Sequence, residues 1–244
     1  CQLDDLTHLT QQPDQALYLD PARRSAAGPS WSVDQLSPAW STVTAALTSA
    51  VGPVVVKLGP GLPHHLIPAP TQATWVSHDG DLVELSLWRG PTWAASWQAV
   101  SLPSGRSLPG GQPAPATGPL GRFLWEPDPA VIRARALAPL AEQLAAHGLV
   151  DQIAYLTGDA DRLTPWAQRF EVLEVLPFDD KKVRAWIRQR GIGHLEIKTR
   201  GLGLDPARWR RRLGLKGPER ATVIVTPSPT GAVVLVVCRQ PTRC

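Results

Sequence analysis

The 244 residues contain no methionine and only 3 cysteines, 2 tyrosines and 3 phenylalanines. The cysteines stand at positions 1, 238 and 244, with no C-x-x-C pair, which excludes a zinc ribbon and a disulfide framework. An odd cysteine count suits a reducing compartment, so a cytoplasmic location is expected. Six histidines are scattered, and even His64-His65 lacks ligand spacing, so no metal is expected. No apolar run approaches the roughly 20 residues of a membrane span. No secretory leader is recognisable either. The absence of methionine, even at position 1, points to a processed chain or a piece of a longer one. A lipid anchor at Cys1 is a further reading, but Gln2-Leu3-Asp4-Asp5-Leu6 is not the Ser/Gly-rich tether it needs.

What is present is proline, at 25 residues, and glycine, at 20, so loops are many or long. The 43% hydrophobic share still supports a true core. Charge is divided unevenly. Residues 1–169 carry 10 basic against 14 acidic side chains, and residues 170–244 carry 15 against 7. A mildly acidic body with a strongly basic C-terminal module implies that the module meets a polyanion.

The run Ala16-Leu17-Tyr18-Leu19 reads as a short buried strand that Asp20-Pro21 stops. Asp20 then stands either at the ligand-binding carboxyl edge of an open α/β sheet or at the start of a plain turn. Apolar spacing from Leu36 to Ala50 predicts a helix, with Ser37-Pro38 as cap and first turn. Val54-Val55-Val56-Lys57-Leu58 predicts a strand buried on both faces, running into Gly59-Pro60-Gly61. Strand, helix and strand make a right-handed βαβ unit. Asp79-Gly80 predicts a hairpin between Trp75-Val76-Ser77 and residues 81–88, and Trp97 to Leu102 is a further strand.

Residues 103–121 have the composition of a linker, and residues 122–169 are expected to be a helical connector, with a helix from Asp128 to about His147. Residues 153–156 are a short strand candidate. From Phe170 the pattern is strand, helix, strand, helix and hairpin. Asp179-Asp180 opens a helix carrying Lys181, Lys182, Arg184, Arg188 and Arg190. His194 to Lys198 is a strand ending in the Thr199-Arg200 turn, and Asp205-Pro206 opens a helix with Arg208, Arg210, Arg211 and Arg212. These cations either track a phosphate backbone or form solvated faces, with Trp209 in the core.

Tyr18-Leu19-Asp20-Pro21-Ala22-Arg23-Arg24 and Val56-Lys57-Leu58-Gly59-Pro60-Gly61 resemble the fourth and fifth strands of class I S-adenosylmethionine-dependent methyltransferases. With Trp125 to Ala134, Phe170 to Pro177 and Ile192 to Gly201, the chain is similar to a bacterial methyltransferase group ending in a THUMP-like domain. The resemblance implies an α/β fold: the C-terminal half of a Rossmann-like methyltransferase sheet over residues 1–102, then a small α+β THUMP-like domain over 170–244. It implies S-adenosylmethionine as cofactor and ribosomal or transfer RNA as partner. Asp20, Pro21, Ala22 and Arg23 would line the methyl-transfer site, and Asp4 or Asp5 would approach the adenine. Lys181, Lys182, Arg184, Arg188, Lys198, Arg200, Arg208, Arg210, Arg211 and Arg212 would bind RNA. The Gly-rich turn of such enzymes does not occur before Tyr18, so the chain is expected to be a fragment with impaired catalysis. The alternative is a non-catalytic RNA-binding protein.

Overall fold

The computed structural model describes residues 11–23, 33–49, 51–91 and 93–239. The chain divides into two compact units, Cys1–Pro113 with Asp128–Ala136, and Ala114–Pro127 with Leu137–Cys244.

In the first unit, β1 (Leu17–Leu19), β4 (Val54–Leu58), β5 (Gln72–His78), β6 (Asp81–Arg89), β7 (Trp97–Leu102) and β8 (Arg106–Pro109) form one sheet, in the order β1-β4-β6-β5-β7-β8. β1 and β4 are parallel, with α1 (Trp40–Thr48) between them in sequence. The β5–β6 hairpin turns at Asp79 and Gly80, whose φ angles of 52° and 87° fit the tight turn that Asp-Gly favours. Val56, Leu87, Trp75 and Ala99 are fully buried, as are Val43 of α1 and Val131 of α2 (Pro129–Arg133). The side chains of Val55 and Lys57 are only half-buried, so β4 alternates rather than being covered on both faces.

The helix expected from Leu36 begins instead at Trp40. Leu36 and Ser37 form β3 (Leu36–Ser37), pairing with β2 (Ala22–Arg23), and the buried Leu36 side chain anchors that bridge. The expected linker over 103–121 also differs: residues 106–109 form β8, which hairpins onto β7. The Gly-rich stretch reflects close backbone approach. Gly111 donates its N–H to the Ala134 carbonyl at 2.7 Å, and a Cβ on Gly110 would fall 2.0 Å from that same oxygen.

The second unit is a seven-stranded sheet of order β10-β11-β9-β12-β15-β14-β13. Its strands are β9 (Phe123–Pro127), β10 (His147–Val150), β11 (Ile153–Gly158), β12 (Ala167–Pro177), β13 (Ile192–Thr199), β14 (Glu219–Ser228) and β15 (Gly231–Arg239). Only β13 and β14 run parallel. α4 (Asp180–Arg190) and α5 (Pro206–Leu213) start where Asp179 and Asp205 accept hydrogen bonds from backbone N–H groups of the first turn. They pack Trp186, Ile187, Trp209 and Leu213 against Leu195, Val223 and Val234. Tyr155, Phe170, Ile224 and Leu235 form a second cluster.

The helical connector expected over 122–169 is corrected here, because β9, β10 and β11 are strands of this sheet. Its single helix is broken after α2, where Arg135 adopts φ 52°, and resumes as α3 (Leu137–Leu144). His147 and Gly148 belong to β10.

The Asp128 carboxylate caps α2, accepting from Ala130 N–H at 2.7 Å. Burial raises its pKa above the ordinary value despite that bond. Because the folded pKa is raised, the unfolded chain releases this proton first as pH climbs. The carboxyl's contribution is therefore greatest below about pH 4 and is lost as pH rises through the folded value. Asp128→Asn keeps an acceptor for the cap and removes the buried charge. Urea denaturation from pH 4 to 7 is expected to show the variant gaining stability relative to the parent as pH rises.

Candidate catalytic edge and basic face

The register Leu17↔Val54, Tyr18↔Val55 and Leu19↔Val56 fixes where β1 ends. Asp20 follows at the carboxyl end of a parallel pair, and Gly59-Pro60-Gly61 leaves β4 at the same edge. The Asp20 side chain is 55% exposed, with Oδ2 3.4 Å from Lys57 Nζ. That hydrogen bond, then the Asp20 charge, raises the Lys57 pKa, which favours its charged ammonium. Pro21 is half-buried and Ala22 exposed, and the backbone of Ala22 and Arg23 is tied to β3. Asp4, Asp5 and Arg24 lie outside the described residues. Sequence reasoning did not single out Lys57. Its signal was a lone cation inside the otherwise apolar run 54–58.

A further arrangement in the first unit surrounds His64. Its ring lies edge-on to Trp75 at 5.4 Å and tilted over Trp97 at 4.8 Å, while Nε2 bonds the Arg133 carbonyl oxygen at 2.8 Å. Burial lowers its pKa, which favours the neutral ring. This is a packed aromatic cluster with its polar atom satisfied.

The basic residues of the second unit separate into two kinds. Lys198 and Arg200 are spoken for: both pair with Glu126, at 2.6 and 3.6 Å, and all three side chains are half-buried. Arg200 also lies over the Tyr155 ring at 5.1 Å, and Lys198 over Phe170 at 5.5 Å. Burial, then the Glu126 charge, pushes the Tyr155 hydroxyl up to about 12. By contrast, Lys181, Lys182 and Arg188 of α4 and Arg208, Arg210 and Arg211 of α5 are exposed. No carboxylate lies within ion-pair distance of these six among the described residues. Arg184 and Arg212 pair with Asp180, which also accepts from Trp209 Nε1 at 2.8 Å and so ties α4 to α5. Trp186 donates to Glu174 at 2.9 Å from the helix–sheet core. Neither tryptophan offers a free stacking face.

Residues 167–240 match the THUMP domain-like family. Two curated Mycobacterium tuberculosis proteins, from strains CDC 1551 and H37Rv, are each described as an uncharacterized S-adenosylmethionine-dependent methyltransferase. Both are 31% identical over 248 residues, covering 98% of this chain and 68% of the relative. The crystal structure of a candidate methyltransferase from Porphyromonas gingivalis W83 superposes with a TM-score of 0.69 at 20% identity, over 92% of this chain and 59% of that one.

The paired cations have a structural consequence. Glu126→Gln leaves Lys198 and Arg200 half-buried without their counter-charge, so a loss of about 1–3 kcal/mol of stability is expected. Denaturant titration reads the loss. An unchanged midpoint would return Lys198 and Arg200 to the set of cations free for a ligand.

Proposed function

We infer the function of this chain from its membership: it belongs to the S-adenosylmethionine-dependent methyltransferases. We propose that its reaction is methyl transfer to RNA, with the basic helices α4 and α5 of the THUMP-like module holding the RNA backbone. Among the described residues no group of side chains could hold a metal ion, and no helix is long and apolar enough to cross a membrane. A cytoplasmic site of action is part of the same proposal.

The observation that carries the reading is Asp20 at the carboxyl end of β1, beside its parallel neighbour β4. Ligands of open α/β sheets bind outside this edge. When bound, S-adenosylmethionine supplies an electrophilic methyl group. The described residues fit one wall of a site for it: the exposed Asp20 carboxylate and the Gly59-Pro60-Gly61 turn that leaves β4 at the same edge. The Gly-rich strand–turn–helix that would cradle its other half is not found in the sequence before Tyr18.

Asp20 would act by orientation. Its carboxylate accepts an N–H of the base edge, so that the nitrogen lone pair points along the line of attack. Holding the nucleophile in line supplies much of the rate. Lys57 holds one of its oxygens at 3.4 Å, leaving the other for the substrate.

Incorporation of labelled methyl groups from S-adenosylmethionine into bulk RNA tests the activity. Asp20→Ala should reduce whatever rate the parent shows by about 100-fold while RNA affinity is kept. RNA binding without methylation under any condition would favour the non-catalytic alternative.

The basic face is tested separately. Arg208→Glu with Arg211→Glu should weaken binding to a structured RNA and flatten its salt dependence by about two charges' worth. Affinity that is independent of both salt and these substitutions would remove nucleic acid from the proposal.

A further inference from the structure

A hollow of about 400 Å³ opens in the first unit at the amino ends of β5 and β7, which run parallel. Ile67, Pro68, Ala95 and Trp97 give it an apolar lining, with Thr71 as a neutral polar member. Among the described residues, Arg135 is the one charged side chain that lines it. β4 and β5 are both antiparallel to β6, so β5 runs in the same direction as β4. The hollow therefore lies at the opposite edge of the sheet from Asp20, which follows the carboxyl end of β1. A strand of the length of β5 spans roughly 20 Å. A small molecule held in the hollow does not touch Asp20.

Arg135 is fixed in both backbone and side chain. Its φ of 52° lies in the left-handed region that residues other than glycine adopt at a cost. Two hydrogen bonds hold it there: the Arg135 N–H donates to the Ile132 carbonyl at 3.2 Å, and the Arg135 carbonyl accepts from Gln112 N–H at 3.1 Å. Backbone strain that the surroundings enforce is concentrated at active sites and ligand clamps. The guanidinium lies over the Trp97 ring, with Cζ 5.2 Å from the centroid. That ring is in turn held by His64 at 4.8 Å and Trp75 at 5.2 Å. Stacking occupies one face of a guanidinium and leaves the N–H groups along its edge as donors. Arg135 is exposed, and no carboxylate lies within ion-pair distance of it among the described residues.

The planar fork of an arginine matches the two oxygens of a carboxylate. A single cation suits a monoanion better than a phosphate monoester, which carries close to two charges at neutral pH. The apolar lining suits a flat, apolar body, and the volume falls within the range of small-molecule sites. We propose that this hollow binds a small monocarboxylate with a planar apolar body. Its carboxylate pairs with Arg135, and its body lies against Ile67, Pro68 and Ala95. Because the arginine is already held in place, little side-chain freedom is lost on binding. The site is separate from the methyl-transfer edge and independent of the RNA reading.

The test uses the full chain labelled with 5-fluorotryptophan, with the Trp97 resonance assigned among the 10 tryptophans by Trp97→Phe. The probes are 2-naphthoate, its neutral amide 2-naphthamide, and inorganic phosphate. In fluorine NMR, 2-naphthoate should move the Trp97 resonance saturably. The amide should bind at least about tenfold more weakly, and phosphate should leave the resonance where it is. Arg135→Gln should weaken 2-naphthoate by about tenfold, and Arg135→Lys, which keeps the charge without the fork, should fall between parent and glutamine variant. The other tryptophan resonances report whether each variant is folded as the parent is. Ala95→Phe, at an exposed position, leaves Arg135 in place and should fill the hollow and abolish binding. A Trp97 resonance that 2-naphthoate does not move would overturn the proposal. So would equal affinity for acid and amide, an equal response to phosphate, or an Arg135→Gln or Ala95→Phe variant that binds as the parent does.

Discussion

The parallel pairing of β1 with β4 is the constraint on which the candidate catalytic edge depends. β1 is only three residues long, and it is held by the register of Leu17, Tyr18 and Leu19 against Val54, Val55 and Val56. The Leu17 N–H extends the pairing by donating to the Pro53 carbonyl at 2.8 Å. Because side chains alternate along a strand, a slip of one residue would turn Leu19 to the outer face and carry Asp20 away from Lys57. Burial of Leu19, Val54 and Val56 opposes that slip. The hydrophobic pattern of a short strand thus sets the position of a carboxylate.

In the second unit the same logic separates structural charges from available ones. Glu126 of β9 and Lys198 of β13 belong to strands well apart in sheet order, yet they meet at 2.6 Å. The sheet therefore curls enough for these side chains to meet, and the Glu126 carboxylate takes up both Lys198 and Arg200. Asp180 does similar work on the helix layer, joining Arg184, Arg212 and Trp209. Among the described residues from 167 onward, the cations left without such partners lie on the outer faces of α4 and α5 and around the β13–β14 end. The basic surplus of the module is concentrated where a polyanion can reach it.

The sequence was most legible where the determining contacts are local. β7 occupies residues 97–102 as read, the Asp79-Gly80 turn closes its hairpin, and Asp128, Asp179 and Asp205 each cap the helix that they precede. It was least legible where the partner is distant. Leu36 and Ser37 fit a helical period, but their strand partners are Ala22 and Arg23. The Pro/Gly-rich stretch after Leu102 looked like a tether because nothing nearby shows that Gly110 and Gly111 abut Ala134. Lys198 and Arg200 looked free because Glu126 lies far from them in the chain. At the candidate site, Asp20 was readable from its Asp-Pro stop, whereas the pairing that brings Lys57 to it was not.

The Asp20 carboxylate is proposed to face bound substrate. Carbon-13 NMR of that carboxyl, followed as S-adenosylhomocysteine and RNA are added to the chain, tests it most directly. The Asp20 resonance should move on forming the ternary complex, and the Lys57 ammonium resonance should move with it. An Asp20 resonance that stays fixed while resonances of α4 and α5 report bound RNA would contradict it.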